Sequence, residues 1–173
     1  MAPQAGGINE IGEGHRMKLS DIVCFDAVIP QLEADNRDGA IAELVEALHR
    51  AGKLGSVDPK QITRAVVRRE KEASTGIGKG VAVPHVKHAG IPQPVAAVGR
   101  SEKGIDFASL DKQPVYSVIL LLSPADDADR HLQAMEAIFE NLNQDDFRRF
   151  LRQSQTAEQI RETILDADEG AGS

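Results

Sequence analysis

The sequence predicts an α/β fold in which a mixed β-sheet is flanked by helices on both faces. Amphipathic helical segments alternate with short apolar strands along the chain. The strongest strand signal is Val115–Leu122, a run of apolar and β-forming residues interrupted only by Ser117. Such a run is typical of a strand covered on both faces, because alternate side chains point to opposite sides of a sheet. This run therefore predicts the centre of the sheet, with helices above and below it.

Composition indicates one globular domain. The chain has 173 residues, 41% of them hydrophobic and 27% charged, and no apolar run reaches the roughly 20 residues of a membrane helix. Residues 1–16 are rich in glycine and lack an apolar stripe, which predicts a flexible N-terminal extension. We expect a single domain at residues 17–166 and a frayed C-terminal tail at residues 167–173.

The first half of the chain predicts one edge strand and two helices. Pro30 removes a backbone donor, so the strand at Val28–Leu32 is expected at a sheet edge. Asn36 is typical of a helix N-cap, and the helix after it is expected to end at Gly52. Asp58 followed by proline predicts a second helix start, and this helix is expected to continue to about Arg69 or Lys71.

The chain from Val81 onwards predicts three strands and three helices. A short strand is expected at Val81–Val83 and another at Val95–Val98, before the central strand. Helical spacing then predicts a helix containing Met135 and Phe139 in the core, followed by a short helix. A final helix is expected after Thr156, which begins a capping box.

The segment Ser74–His85 combines three glycines, a short apolar strand and a proline directly before a histidine. Glycines permit positive φ angles and let backbone N–H groups approach a ligand closely. Pro84 stiffens the chain, so the imidazole of His85 is presented with little freedom. Neither the phosphate-binding P-loop spacing nor the dinucleotide G-x-G-x-x-G spacing fits, because Gly80 follows Lys79 and Val81 replaces the last glycine.

This segment resembles the active-site signature of the fructose/mannitol-type enzyme IIA proteins of the bacterial phosphoenolpyruvate-dependent phosphotransferase system. The string S-T-G-I-G-x-G-V-A-V-P-H at residues 74–85 carries the resemblance, and a second patch matches at Pro124–Asp126 and His131–Leu132. The similarity extends from about Met17 to about Asp166. The stand-alone nitrogen-regulatory members are the nearest group, and the family's fold is the same helix-covered sheet.

The resemblance implies a phosphocarrier site. It implies that His85 is the phosphorylated nucleophile, that His131 lies beside it, and that Arg69, in the segment R-E-x-x-x-S-T, is the active-site arginine. A guanidinium suits phosphate oxygens better than a lysine does. The residues expected to contact the phosphoryl group are Ser74, Thr75, Gly76, Gly78 and Gly80. The position after the active histidine is usually glycine in the family, whereas Val86 stands here, followed by Lys87 and His88.

The resemblance also implies partners. An HPr-like histidine phosphocarrier would supply the phosphoryl group, and a IIB component or regulatory target proteins would receive or sense it. The 173 residues contain no fused transporter or IIB segment, which favours the regulatory role. The net charge of −7 argues against a nucleic-acid partner, and the single Cys24 agrees with a cytoplasmic protein. No cofactor or metal is expected.

Two alternatives remain at this level. One is a metal site that uses His85, His88 and His131, with Asp126 or Asp129, which requires a turn to bring His85 and His88 together. The other is an interaction module whose binding does not depend on phosphorylation.

Overall fold

The structure, a computed structural model, describes residues 16–172. The predicted N-terminal extension lies outside the described residues except for Arg16. The helices are α1 (Leu19–Ile22), α2 (Arg37–Arg50), α3 (Pro59–Glu72), α4 (Ala128–Leu142), α5 (Asp145–Gln153) and α6 (Ala157–Gly172). The strands are β1 (Val23–Ile29), β2 (Gly76–Gly78), β3 (Val81–Ala82), β4 (His85–His88), β5 (Val95–Ile105) and β6 (Val115–Pro124).

The six strands form one mixed sheet with β6 at its centre. The strand order is β1-β5-β6-β3-β2, and β4 continues the line of β3 along the same side of β6. Strand β5 is antiparallel to β6, whereas β3 and β4 run parallel to it. Strand β1 lies parallel to β5 at the edge of the sheet. The predicted central strand and mixed sheet are therefore confirmed.

The side chains of β6 alternate between two hydrophobic cores. Leu120 and Leu122 belong to the core beneath α2 and α3, whereas Ile119 and Leu121 belong to the core beneath α1, α4, α5 and α6. All four are essentially inaccessible to solvent. The sheet thus has helices on both faces, as the sequence predicts.

The predicted helix starts are present where capping residues were expected. The Asn36 side chain accepts a hydrogen bond from the Gly39 amide at 2.7 Å, and that of Asp58 accepts one from the Lys60 amide at 3.0 Å. At α6, the Gln159 amide donates to Thr156 Oγ1 at 3.1 Å. Within residues 16–172, no helix combines the length and apolarity needed to cross a membrane.

Several element boundaries differ from those predicted. The edge strand begins at Val23 rather than Val28, and β5 continues through the polar residues Gly99–Lys103 to Ile105. The four residues of β4, for which the sequence predicts no element, form a strand because they pair with the far end of β6. The predicted frayed tail differs as well: α6 continues past Asp166 to Gly172, and Asp168 within it is buried.

Candidate active site

His85 is the first residue of β4, at the place where helices from both layers approach the sheet. It pairs with Leu121 of β6, and the Leu121 amide donates to the carbonyl of Pro84 at 3.0 Å. The ring is half-buried, and its Nδ1 lies 2.8 Å from the carbonyl oxygen of Val83. A carbonyl can only accept, so Nδ1 carries the hydrogen and Nε2 of the neutral ring keeps its lone pair.

The surroundings of His85 favour the neutral ring. Burial lowers the pKa of His85 below its ordinary value of 6.5, because a charged imidazolium loses hydration there. The hydrogen bond to Val83 raises the pKa by a smaller amount, and the charge of Arg69 lowers it again. A neutral imidazole with a free Nε2 is the form that can act as a nucleophile.

His131 lies in the first turn of α4, and its ring faces that of His85. The two ring centroids are 5.7 Å apart, with the planes inclined by 42°. Helix α4 is fixed here by its N-cap, since the Asp127 side chain accepts from the Arg130 amide at 3.1 Å. Burial lowers the pKa of His131, and the neighbouring His85 and Lys87 lower it further. Two uncharged imidazoles therefore lie side by side at physiological pH.

Arg69 provides a positive charge that acts on His85. It lies in the last turn of α3, and its Nη1 donates to the carbonyl of Ala73 at 3.0 Å, which holds the guanidinium at the C-terminal end of its own helix. The remaining guanidinium N–H groups can bind the oxygens of a phosphoryl group.

Thr75 and Ser74 lie close to His85 in the chain, but their hydroxyls already have partners. The buried carboxylate of Glu70 accepts from the Thr75 amide and from Thr75 Oγ1, both at 2.7 Å. Ser74 Oγ donates to the carbonyl of Phe107 at 2.5 Å and accepts from the Gly76 amide at 3.0 Å. Either hydroxyl would have to leave its partner to bind a phosphoryl group.

The three glycines form the β2–β3 hairpin, which the structure does not bring to His85. Gly78 and Gly80 have φ angles of +97° and +80°, in the region that glycine tolerates best. The Gly80 carbonyl accepts from the amides of Tyr116 and Ser117, at the start of β6. Val81 pairs with Ser117 and His85 with Leu121, so the turn lies four residues, about 13 Å, along the strand from the imidazole.

The metal-site alternative does not fit this geometry. His85 and His88 are both in β4, and residues three apart in a strand point to opposite faces. His88 Nδ1 accepts from the Gly90 amide at 2.9 Å. In the described part of the chain, no group of three or more His, Cys, Asp or Glu side chains is arranged to hold a metal ion. The arrangement of His85, His131 and Arg69 instead fits an anion formed on a histidine nitrogen.

Sequence reasoning missed two residues that hold this site in place. Glu70 is part of the R-E-x-x-x-S-T segment, but nothing in the sequence shows that its carboxylate points inward and accepts two hydrogen bonds from Thr75. Ser123 contacts His131 Nδ1 at 2.8 Å through its hydroxyl. A serine after an apolar run is an ordinary strand end, so the sequence carries no signal for this contact.

Comparison with known families decides the class of protein. The profile of the family described as "Phosphoenolpyruvate-dependent sugar phosphotransferase system, EIIA 2" matches residues 24–167. The chain belongs to this family. It is a phosphotransferase component of the IIA type, and its helix-covered mixed sheet is the fold of the family's solved structures.

Relatives of this IIA chain have two kinds of name. The nitrogen regulatory protein of Bradyrhizobium diazoefficiens is 33% identical over 83% of this chain and 92% of its own length. The fructose-specific EIIABC component of Bacillus subtilis is 32% identical over 88% of this chain, but the chain spans only 24% of that protein. Among solved structures, the nitrogen regulatory IIA-Ntr protein of Neisseria meningitidis has a TM-score of 0.76 at 27% identity, with 84% of this chain and 98% of that chain covered.

Proposed function

We propose that this IIA chain carries a phosphoryl group on Nε2 of His85. The observation that supports the proposal is the hydrogen bond from Nδ1 to the Val83 carbonyl, which leaves Nε2 as the nitrogen with a lone pair. The lowered pKa of His85 keeps that lone pair available at neutral pH. The resemblance at residues 74–85, in which His85 stands where the family's active histidine is expected, also supports the proposal.

The donor in this proposal is an HPr-like phosphocarrier with a phosphohistidine of its own. Nε2 of His85 attacks phosphorus, the new N–P bond forms, and the N–P bond to the donor imidazole breaks. The Nδ1 hydrogen stays on His85 and continues to donate to Val83. Phosphoryl transfer depends mainly on positioning and on neutralising oxygen charge, which Arg69 and a hydrogen bond from His131 would supply.

Ser74, Thr75 and the three glycines support the site indirectly in this proposal. Their hydrogen bonds to Glu70, Phe107 and the start of β6 fix the chain that leads to Pro84. In this proposal these residues have a structural role, and only Arg69 and His131 contact the phosphoryl group.

The decisive experiment is phosphoryl labelling. Incubation with labelled phosphoenolpyruvate, enzyme I and an HPr-like carrier is expected to label one histidine, with acid-labile and base-stable label. His85→Ala is expected to remove the label, and His88→Ala, in the same strand, is the matched control that keeps it. Label retained in His85→Ala would reject the assignment. Arg69→Ala and His131→Ala are expected to fold and to accept the group more slowly.

The phosphorylated chain would then either pass the group to a IIB component or control target proteins through its charge. The similar proteins include a fructose-specific EIIABC component and a nitrogen regulatory protein, so their names point to both roles. A phosphohistidine adds a dianion at the surface, which changes the partners that the surface attracts. Mixing the labelled chain with a purified fructose-type IIB component distinguishes the two: movement of label to IIB indicates transport, and retention on His85 indicates a regulatory role.

A further inference from the structure

Ser123 is a fully buried serine that touches the site from beneath. It is the next-to-last residue of β6, and its side chain is on the strand face of Ile119 and Leu121, under α4. Its Oγ lies 2.8 Å from Nδ1 of His131. The central strand of the sheet therefore contacts the second histidine directly.

The direction of this hydrogen bond follows from counting hydrogens. In the described part of the chain, the contact with His131 is the one side-chain hydrogen bond of Ser123. If the ring donated to Oγ, the buried hydroxyl hydrogen would have no acceptor, which is costly. If the hydroxyl donates to Nδ1, its one hydrogen is used, and only oxygen lone pairs stay unpaired. The second arrangement is therefore the favoured one.

We propose that Ser123 is a positioning residue that fixes neutral His131 with its hydrogen on Nε2, ready to donate to the phosphoryl group of His85. His85 is held in the opposite tautomer, with its hydrogen on Nδ1, by the Val83 carbonyl. The pair thus consists of one ring prepared as a nucleophile and one prepared as a hydrogen-bond donor. The catalytic part of this inference rests on the proposed function, whereas the tautomer can be tested without phosphorylation.

The tautomers are read by nitrogen-15 NMR of the unphosphorylated protein at about pH 8, where both rings are neutral. We expect His131 to show an unprotonated Nδ1 and a protonated Nε2, and His85 the reverse. The signals are assigned with His131→Gln and His85→Gln. A protonated Nδ1 in His131 would overturn the inference even if His85 is phosphorylated normally.

The substitution Ser123→Ala gives a second test, because the direction in which it changes the pKa of His131 depends on which group donates the hydrogen bond. A hydroxyl that donates to Nδ1 stabilises the neutral ring, so removing it is expected to raise the pKa of His131. If the ring donated to the hydroxyl instead, the same substitution would lower the pKa, since an imidazolium can keep that bond. The titratable groups that act on this ring, His85 and Lys87, are unchanged in the variant. Ser117→Ala, at another buried serine of β6, is the matched control and is expected to leave the pKa of His131 as it is.

Transfer rates connect the tautomer to function. Ser123→Ala is expected to accept the phosphoryl group about fivefold more slowly, the size expected for one neutral hydrogen bond. Ser123→Thr keeps the hydroxyl and is expected to recover most of the rate. Label in the Ser123→Ala protein should still be on His85. An unchanged rate would overturn the positioning role and leave the proposed function intact, whereas loss of labelling in the unaltered protein would count against the proposed function.

Discussion

At the scale of single residues, the neutral state of His85 has a consequence for the pH profile. Burial and the charge of Arg69 lower the pKa of His85, so the midpoint of its protonation lies below pH 6.5. Most of the protein therefore keeps the Nε2 lone pair above that pH. If His85 is the nucleophile, as proposed, we expect the midpoint of the decrease in phosphoryl acceptance to lie below about pH 6.5. A rate that follows an ordinary histidine titration would contradict the burial effect.

The measurement is the initial rate of label transfer from the phosphorylated carrier at a series of pH values between about 5 and 8. Loss of label from already phosphorylated protein is followed in parallel, because phosphohistidine is unstable in acid. Arg69→Gln removes one cause of the lowered pKa and is expected to move the decrease in rate to higher pH.

A second prediction concerns Glu70, which is only 2% exposed and accepts two hydrogen bonds from Thr75. In Glu70→Gln, an amide N–H₂ must face a donor in place of one carboxylate oxygen. We expect a loss of about 1–3 kcal/mol in the free energy of unfolding, the usual cost of a buried polar group left unpaired. Urea unfolding gives this value.

Glu72→Gln, at an exposed position of the same helix, is the matched control and is expected to be close to neutral. Equal stability of the two variants would show that the two hydrogen bonds from Thr75 to Glu70 contribute little to the free energy of unfolding.

At the scale of elements, the β2–β3 hairpin is fitted closely against the loop between β5 and β6. A Cβ added at Gly76 would lie 2.2 Å from Ser109 Oγ and 3.1 Å from Ser109 Cα. We expect Gly76→Ala to destabilise the protein by about 1–3 kcal/mol, as overpacking does. Thermal and urea unfolding of the variant measure the effect.

Ser109 offers a partner substitution for a double-mutant cycle. Its hydroxyl is buried without a hydrogen-bond partner in the described residues, so removing it sacrifices little. Ser109→Gly is therefore expected to restore part of the stability lost in Gly76→Ala. Additive losses in the double variant would mean that the two residues do not interact.

Elements with local signals could be predicted from the sequence. Helix α2 begins after Asn36 because that side chain accepts from the Gly39 amide, only three positions further along the chain. Strand β6 was predictable because its apolar run needs no knowledge of its partners. The pairing of His131 with His85 came from the family resemblance, since spacing alone does not bring residues 46 positions apart together.

Elements with distant partners could not be predicted. Strand β4 is short and mixed in polarity, and it is a strand because His85 and Val86 pair with Leu121 and Leu122 of β6. The end of α6 has the glycine and acidic residues of a frayed tail, yet Asp168 is buried and accepts from the Ser20 amide at 3.4 Å. These contacts depend on the assembled fold, which local propensity does not contain.

At the scale of the whole molecule, β6 contributes side chains to both cores, and we expect it to join them into one cooperative unit. Leu120 packs against α2 and α3, whereas Leu121 packs against the helices of the other face. Leu120→Ala and Leu121→Ala are each expected to reduce the free energy of unfolding by about 2–5 kcal/mol. Both variants are expected to unfold in a single transition.

Calorimetry together with circular dichroism checks this expectation. Leu110→Ala, at a side chain that is 83% exposed, is the control and is expected to change stability very little. Two separate transitions in either core variant would show that the layers unfold independently.

The central position of β6 also affects how the site behaves over time. The Leu121 amide donates to the Pro84 carbonyl, directly before the proposed nucleophile His85, and β6 has hydrogen-bonded neighbours on both sides. Such amides normally open only when the whole protein unfolds, and hydrogen–deuterium exchange is expected to find Leu121 among the slowest. If His85 carries the phosphoryl group as proposed, a carrier can bind and leave many times between two openings of the sheet, and it meets the same ring in the same place each time.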